Sequence, residues 1–201
     1  LTGDLKKFYN ISSQIVEIEK SKDVSDHIIA IASPGRDFPG FPTGSVKPPD
    51  HPEGYSVLVD NDRVAVVANN PRGLFYGVTS LLQMIRVRDN EMYIQGGRIT
   101  DYPTLDFRGV HCLSGKNAGD EIAKAIKNLM ARFKMNSMVW ECQYIIWDSH
   151  PEIEHEEYGM KKSEAKKVIA AAETYFMELI PLVQSLGHSK WIFTNNQNLD
   201  I

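Results

Sequence analysis

The sequence predicts an α/β protein of two domains, residues 1–102 and residues 103–201. Strand and helix patterns alternate along the first hundred residues, and Asp101-Tyr102-Pro103 then interrupts them. After Pro103 the order is strand, helix, strand, helix, strand. Repeated βα units imply a parallel sheet, either doubly wound or closed into a barrel.

The composition excludes several classes of protein. With 201 residues and 42% hydrophobic side chains, the chain can bury a core for one or two domains. A net charge of −4 and scattered Lys and Arg residues argue against nucleic-acid binding. No apolar stretch approaches the roughly 20 residues of a membrane span. Residues 1–4 lack the basic and apolar regions of a signal peptide, as expected also of a mature secreted protein.

The first domain should contain a sheet with one helix. Residues 14–19 alternate polar and apolar side chains like a half-buried strand, and residues 27–32 are apolar enough for a central strand. Residues 33–53 carry six prolines and form a predicted loop. Residues 55–59 and 64–68 then predict a hairpin around a three-residue turn.

The helix of this domain has a clear start. Asn70 is a good N-cap, and Pro71 suits the first helical position because its missing N–H needs no partner there. Spacings of three and four predict one apolar stripe facing the sheet, made by Leu74, Phe75, Val78, Leu81, Leu82 and Ile85. Residues 92–94 and 97–99 are expected to complete the sheet.

The second domain should contain three strands and two helices. The strands are predicted at residues 107–113, 137–143 and 179–184. Asn117 and Ser163 are the candidate helix caps. The inner helix faces are predicted to be Ile122, Ile126, Leu129 and Phe133 in the first helix, and Val168, Ile169, Ala172 and Phe176 in the second.

No metal or cofactor site is expected. Cys112 and Cys142 are too few for a disulfide scaffold or a metal cluster, and two buried thiols are the simpler interpretation. The His and Glu residues between positions 150 and 157 lack a metal-ligand spacing and are typical of a solvated acidic loop. The chain also lacks a P-loop, a GxGxxG turn and a GxSxG elbow.

Four short blocks, in this order and spacing, resemble the β-N-acetylhexosaminidases of glycoside hydrolase family 20. They are Glu53-Gly54-Tyr55 with Ala68-Asn69-Asn70, Gly73-Leu74-Phe75-Tyr76-Gly77 and Leu81-Leu82-Gln83-Met84; Asp101-Tyr102-Pro103 with Phe107-Arg108-Gly109; residues 130–136; and Glu178-Leu179-Ile180-Pro181 with Gly187-His188. The resemblance implies a non-catalytic α/β domain of the hexosaminidase domain-2 type over residues 1–102. It also implies the first three βα units of a TIM barrel over residues 103–201.

The resemblance further implies a substrate-assisted, retaining hydrolysis of terminal N-acetylhexosamines, an exception to the usual two-carboxylate scheme. In that family an Asp-Glu pair at the end of the fourth barrel strand orients the acetamido group and protonates the leaving oxygen. Since only three strands fit here, we expect the catalytic pair beyond residue 201 and no hydrolysis by these residues alone. A full barrel needs about 250 residues.

The resemblance also points to substrate-binding positions. Arg108 matches an Arg that holds sugar hydroxyls, although a structural ion pair is the alternative. His188 matches a His that supports the acid, although a solvated loop His is as plausible. Glu141 stands where the family usually carries His and can accept hydrogen bonds from sugar hydroxyls. Trp140, beside it, could belong to a sugar-stacking wall with Tyr144 and Trp147, although core aromatics are the commoner case.

The chain departs from the family at several of these positions, which indicates a divergent branch. The expected Asp and Arg after the first strand are Leu113 and Lys116, and the acidic pair after the second is Tyr144-Ile145. Near the third strand, the acidic positions are Leu182 and Gln184, and the Pro before Gly-His is Leu186.

Three functions therefore remain open. The first is a secreted or periplasmic exo-acting glycoside hydrolase with a glycan substrate, of which this chain is the N-terminal portion. The second is a non-catalytic carbohydrate-binding or assembly module with the same ancestry, which the missing acidic positions favour. The third is another barrel glycosidase with a similar first domain. An open three-stranded part-barrel also predicts a homodimer, a rearrangement or a longer protein.

Overall fold

A computed structural model of the chain describes residues 28–34, 46–61 and 63–200. The chain divides into two compact units, Leu1–Thr104 and Leu105–Ile201. The predicted strand at residues 14–19 and much of the predicted loop at 33–53 lie outside the described residues. None of the helices in the described ranges is long and apolar enough to cross a membrane.

The first unit contains a four-stranded sheet. Its strands, in spatial order, are β1 (Ile28–Ala32), β3 (Arg63–Ala68), β2 (Tyr55–Asp60) and β6 (Gly97–Asp101). β1 runs parallel to β3, whereas β2 is antiparallel to both β3 and β6. The β2–β3 hairpin is the predicted one, and β6 joins the sheet as expected.

Both faces of the sheet are buried at its two central strands, β2 and β3. Because side chains alternate along a strand, Val57 and Val66 share one face with Tyr55, and all three are completely buried. Val67, on the opposite face, is also completely buried and packs with Val46. Burial on both faces explains the apolar runs of β2 and β3. The prediction of a central strand at residues 27–32 is wrong for the described residues, where β1 ends the strand order and Ile29 and Ile31 are exposed.

Helix α1 (Pro71–Met84) covers one face of the sheet and begins where the sequence predicts. Asn70 is the N-cap, and its side-chain oxygen accepts a hydrogen bond from the Gly73 backbone N–H at 3.2 Å. The predicted stripe holds for Leu81, which is buried, and for Leu74, Phe75 and Val78, which pack against the core. It misses Tyr76, which is completely buried, and Ile85 lies beyond the helix.

The difference arises because the helix approaches the sheet through glycines. A Cβ added at Gly77 would lie 2.4 Å from Cγ1 of Val66, and one at Gly73 would lie 2.4 Å from the carbonyl oxygen of Gly54. These distances leave no room for a side chain. The apolar periodicity of the sequence does not reveal this close approach, because glycine carries no hydrophobic signal.

A second hairpin follows α1, made by β4 (Ile85–Arg88) and β5 (Glu91–Ile94). The expectation that residues 92–94 complete the main sheet is therefore wrong. Asp89 and Asn90 have φ values of 53° and 62°, as a two-residue turn with positive φ at both positions requires. This tight turn pairs β5 with its sequence neighbour β4 and forms a separate two-stranded sheet.

The second unit contains three parallel strands, as the repeated βα pattern predicts. They are β7 (Gly109–Leu113), β8 (Ser137–Glu141) and β9 (Glu178–Leu182), in that spatial order. Gly109 aligns with Ser137, which in turn aligns with Glu178. All three strands are shorter than the predicted segments, and all carboxyl ends meet at one edge.

Two helical segments connect these strands. The first is α2 (Gly119–Ala125), which continues as a π-helical turn (Ile126–Met130) and a 3₁₀ turn (Ala131–Phe133). The second is α3 (Lys162–Thr174). Further 3₁₀ segments lie at Pro151–Ile153 and Ser189–Asn196.

The predicted helix caps are wrong. The N-cap positions are Ala118 and Lys161, and neither makes a side-chain capping bond. Asn117 instead lies in the left-handed region with a φ of 59°, a conformation that Asn tolerates better than most residues. The chain turns at Asn117, and helical geometry begins two residues later.

The π-helical turn explains why only half of the predicted inner face of the first helix is buried. Ile122 and Ile126 lie in the core, but the side chains of Leu129 and Phe133 are exposed. A π-turn adds a residue to one helical turn, so the face that meets the core moves along the sequence. Met130 is buried in place of Leu129.

The core of the second unit lies between the sheet and its helices. Met138 and Trp140 of β8 pack there with Val168 and Ala172 of α3. Side-chain alternation directs Val139 and Glu141 to the other face, which we call the inner face. At the carboxyl end of β7, the inner-face residue Leu113 is 63% exposed.

Candidate functional site

A polar cluster lies on the inner face at the carboxyl ends of β7, β8 and β9. Leu113, Glu141 and Leu182 align across the three strands, so the strand ends bring together side chains distant in the sequence. In parallel α/β folds, functional groups concentrate at this edge, because the loops that follow the strands meet there.

Glu141 is the centre of this cluster. Its Oε1 lies 3.0 Å from Nε2 of His111 and 3.0 Å from Nε2 of Gln184, and its Oε2 lies 2.9 Å from Nε2 of Gln143. An ionised carboxylate only accepts hydrogen bonds, so the other three side chains are the donors. We call these four residues the Glu141 cluster.

Burial distinguishes the members of the cluster. The Glu141 side chain is only 7% exposed, whereas the His111 side chain is 53% exposed. Gln143 is buried, and Gln184 is half-buried. Glu141 is therefore the enclosed charge, and the three donors offset part of the free energy that burying a carboxylate costs.

The cluster is not fully satisfied by the described residues. Oε1 of Gln143 is buried and has no hydrogen-bond partner among them. A buried unpaired acceptor costs about 1–3 kcal/mol. Departures of this kind from the rules of stability are concentrated at functional sites.

Trp140 does not line this site, which corrects its assignment as a substrate-binding residue. It precedes Glu141 in β8, so its side chain faces the helices, where it is 5% exposed within the core. The core interpretation of Trp140 is therefore the right one.

The structure also separates Arg108 from the cluster. Arg108 directly precedes β7, at the amino end of the sheet, and the five residues of β7 separate the two ends by about 16 Å. Its Nε donates to the carbonyl oxygen of Lys134 at 2.7 Å, and a terminal guanidinium nitrogen donates to that of Leu105. Its backbone N–H donates to Asn136 Oδ1. Arg108 thus joins backbone segments at the amino end of the sheet and lies away from the Glu141 cluster.

His188 lies beyond the carboxyl end of β9, as the sequence predicts. Its side chain is exposed, and its φ of 53° places it at the start of the 3₁₀ segment Ser189–Asn196. Its supporting role toward an acid remains a prediction.

The loop after β8 is organised by aromatic rings. The rings of His155 and Tyr158 stack at 4.5 Å, and Tyr144 meets both edge-on. Nδ1 of His155 accepts hydrogen bonds from the backbone N–H groups of Glu157 and Tyr158, at 3.2 Å each. Among the described residues no group of three potential ligands could hold a metal ion. This loop is shaped by ring packing.

Neither cysteine has the character of a nucleophile. Both thiols are free, Cys142 is buried and Cys112 is half-buried. Burial raises the pKa of each thiol above its ordinary value, which favours the uncharged form.

His111 and Gln143 are the members of the cluster that sequence reasoning missed. A signal for His111 existed, since it lies two residues before Leu113 and therefore on the same face of a predicted strand. The alternation of side chains along the strand does not give the parallel register that brings β7 beside Glu141.

One family model matches most of the first unit. Residues 11–102 match the family described as glycosyl hydrolase family 20, domain 2. The match covers the sheet strands and helix α1 and ends within the boundary region between the two units.

Two curated relatives match much of the chain. It is 26% identical to a β-hexosaminidase of Porphyromonas gingivalis over 170 residues, which is 68% of this chain and 21% of that protein. It is 23% identical to a lacto-N-biosidase of Bifidobacterium bifidum over 182 residues, which is 86% of this chain and 15% of that protein. The chain thus spans about a fifth or less of the length of these relatives.

Solved structures show the same fold. An exo β-N-acetylglucosaminidase of family 20 from Vibrio harveyi, in complex with N-acetylglucosamine, aligns with a TM-score of 0.69 at 19% identity, covering 96% of this chain and 31% of that one. A family 20 β-N-acetylhexosaminidase from Streptomyces coelicolor aligns at 0.65 and 19% identity, covering 85% and 37%. The predicted α/β domain with part of a barrel is confirmed.

Proposed function

We propose that this chain is part of a hydrolase acting on terminal N-acetylhexosamine sugars. The basis is its resemblance to the β-N-acetylhexosaminidases of glycoside hydrolase family 20. The match of residues 11–102 to the second domain of this family carries the proposal. The named activities of the Porphyromonas and Vibrio proteins support the sugar class.

The Glu141 cluster supports a role for the second unit in binding. It lies at the carboxyl ends of parallel strands, where barrel enzymes bind their substrates. It also combines hydrogen-bonding groups with the apolar inner-face residues Val139 and Leu113. Sugar rings have polar edges and apolar faces, and a site of mixed character suits both.

The catalytic Asp-Glu pair of the proposed enzyme lies beyond residue 201. We therefore expect the 201-residue chain to leave an aryl N-acetylglucosaminide intact, and the full-length protein to release the aryl group. Assays of both proteins at equal concentration, with an aryl glucoside as the control substrate, test this expectation. Full-length protein that cleaves neither compound contradicts the proposed function, and equal activity of the two proteins contradicts the location of the pair.

The second candidate function is a non-catalytic carbohydrate-binding module. It is favoured by the neutral side chains of Tyr144, Ile145 and Leu182, at positions where the family usually carries acids. Calorimetric titration of the full-length protein with N-acetylglucosamine separates the candidates. Binding without turnover of the aryl substrate supports the module, whereas turnover excludes it.

A further inference from the structure

The loop that follows β8 already has both of its neighbours in the sheet order. β8 is the central strand of the order β7-β8-β9, so strands that close a barrel would pair with β7 and β9 and leave the neighbours of β8 unchanged. Loops at the carboxyl ends of barrel strands lie outside the packed interior, at the edge where substrates bind. The surroundings of this loop therefore depend mainly on residues that the structure describes.

Both neighbouring loops hold the loop after β8 in place. Lys116, which follows β7, donates from Nζ to the carbonyl oxygen of Glu156 at 2.8 Å. Asn195, which follows β9, donates from Nδ2 to the carbonyl oxygens of Glu152 and Glu154 at 2.9 and 3.0 Å. The loop is thus fixed from two sides.

Within this loop, His155 orders the backbone around Tyr158. Its Nδ1 accepts a hydrogen bond from the Tyr158 backbone N–H, and its carbonyl oxygen accepts one from the Gly159 N–H at 2.8 Å. A Cβ added at Gly159 would lie 2.6 Å from that carbonyl oxygen, so the turn requires a residue without a side chain. His155 also stacks on the Tyr158 ring at 4.5 Å.

Tyr158 therefore combines a fixed ring with an exposed one. It is 45% exposed, although one face of its ring lies on His155 and Tyr144 meets it edge-on. No other ring contact to Tyr158 is found within residues 28–34, 46–61 and 63–200. A rigid aromatic ring offers a large contact area at a low cost in conformational entropy, and such a surface suits the apolar face of a sugar.

The charge of the loop indicates which kind of ligand fits beside Tyr158. Residues 148–157 carry five carboxylates and no Lys or Arg. Negative charge repels ligands that bear phosphate or sulfate groups, nucleic acids among them. An uncharged carbohydrate meets no such repulsion, and its hydroxyl groups can donate hydrogen bonds to carboxylates.

We propose that Tyr158 stacks against the second sugar of an uncharged glycan, next to the terminal N-acetylhexosamine that the proposed enzyme cleaves. The proposal rests on the proposed function and adds a contact with a second sugar to it. The terminal sugar of a barrel enzyme binds at the strand ends. Tyr158 belongs to the part of the loop that the Ile145–Met160 bridge separates from β8, so a glycan of two or more sugars can meet both places.

The experiment compares two substrates of the full-length protein, a β-linked N-acetylglucosamine disaccharide and methyl β-N-acetylglucosaminide. The methyl group is too small to stack, so only the disaccharide can use Tyr158. We expect Tyr158→Leu, which stays apolar but lacks a flat ring, to lower the ratio of the two kcat/KM values roughly three- to tenfold, mainly through the KM of the disaccharide. Tyr158→Phe keeps the ring and should keep the ratio.

The matched control is Tyr93 on β5, a tyrosine of similar exposure at 47%. Tyr93→Leu should change neither the ratio nor the melting temperature. If Tyr158→Leu leaves the ratio unchanged, with or without a lower melting temperature, the inference is overturned and the proposed function stands. A full-length protein that cleaves neither substrate overturns both.

Discussion

The two sheets of the molecule differ in how many of their faces are buried. In the first sheet, β2 and β3 are buried on both faces, through Val57 and Val66 on one side and Val67 on the other. In the second sheet, the helices cover only the face that carries Met138, and Leu113 on the inner face is exposed. Within the described residues, the centre of the first sheet is thus covered on both faces and the second sheet on one.

The two sheets also differ in the kind of side chain that they carry. Side chains on a doubly covered sheet are constrained by packing, so their identities report on the fold. The inner face of β7–β9 holds the polar Glu141 cluster at the strand ends, where a carboxylate is more costly than an apolar residue would be. We interpret the buried positions of the first sheet as the ones that stabilise the fold, and the Glu141 cluster as the candidate functional site.

The largest expected effect comes from the helix-covered face of the second sheet. Met138 is completely buried, and Met138→Ala should lower the free energy of unfolding by about 2–5 kcal/mol, because it removes apolar contacts and leaves a cavity. Leu113→Ala, on the exposed inner face of the neighbouring strand, should change it by less than about 0.5 kcal/mol. Denaturant unfolding of the chain measures both, and equal losses would show that the inner face is covered.

An intermediate effect is expected on the face of the first sheet that is opposite to Val57 and Val66. Val67 is completely buried, and Val67→Ala removes two methyl groups, which should lower the free energy of unfolding by about 2 kcal/mol. The same denaturant experiment applies. A loss as small as that of Leu113→Ala would remove the contrast between the two sheets.

A smaller loss than that of either core substitution is expected when the hydrogen bonds of Tyr55 are removed. Its hydroxyl lies 2.7 Å from Ser80 Oγ and donates to Asp101 at 2.7 Å. Tyr55→Phe should lower the free energy of unfolding by about 1 kcal/mol near pH 7. Unfolding followed by denaturant measures this loss. Because Tyr55 connects β2 with α1 and β6, the substitution should destabilise the first unit.

The same phenol should make the first unit sensitive to alkali. Burial raises the pKa of Tyr55 above its ordinary value, while the unfolded chain ionises near pH 10. The folded state therefore binds more protons above about pH 10, and the free energy of unfolding falls as the pH rises. Tyr55→Phe should reduce this slope. Ser80→Ala keeps the buried phenol and should therefore keep the fall in the free energy of unfolding with pH. If Tyr55→Phe shows the same slope as the unsubstituted chain, Tyr55 is not the group responsible.

Local sequence signals predicted the start of α1 and the parallel order of β7–β9. Asn70-Pro71 is sufficient for a helix start, because capping depends on a few adjacent residues. Helix α2 shows the limit of such signals. Its periodicity predicted Leu129 in the core, but a π-helical turn, which depends on tertiary packing, buried Met130 instead.

The candidate site was predictable only in part. Glu141 is identifiable because a charged residue that ends an apolar strand is unusual, and the family resemblance marks the same position. Arg108 and Trp140 were assigned to the site by resemblance, but the structure places one at the opposite end of β7 and the other in the core. A sequence motif does not specify the direction of a side chain.

The sequence by itself determined the α/β class, the hairpin of the first sheet, the start of α1 and the family resemblance, because each depends on neighbouring residues or short ordered blocks. Only the tertiary structure decided that Nε2 of His111, 30 residues from Glu141, lies 3.0 Å from its carboxylate. That contact depends on the register of two parallel strands joined through a helical connection, and register is set by packing between elements.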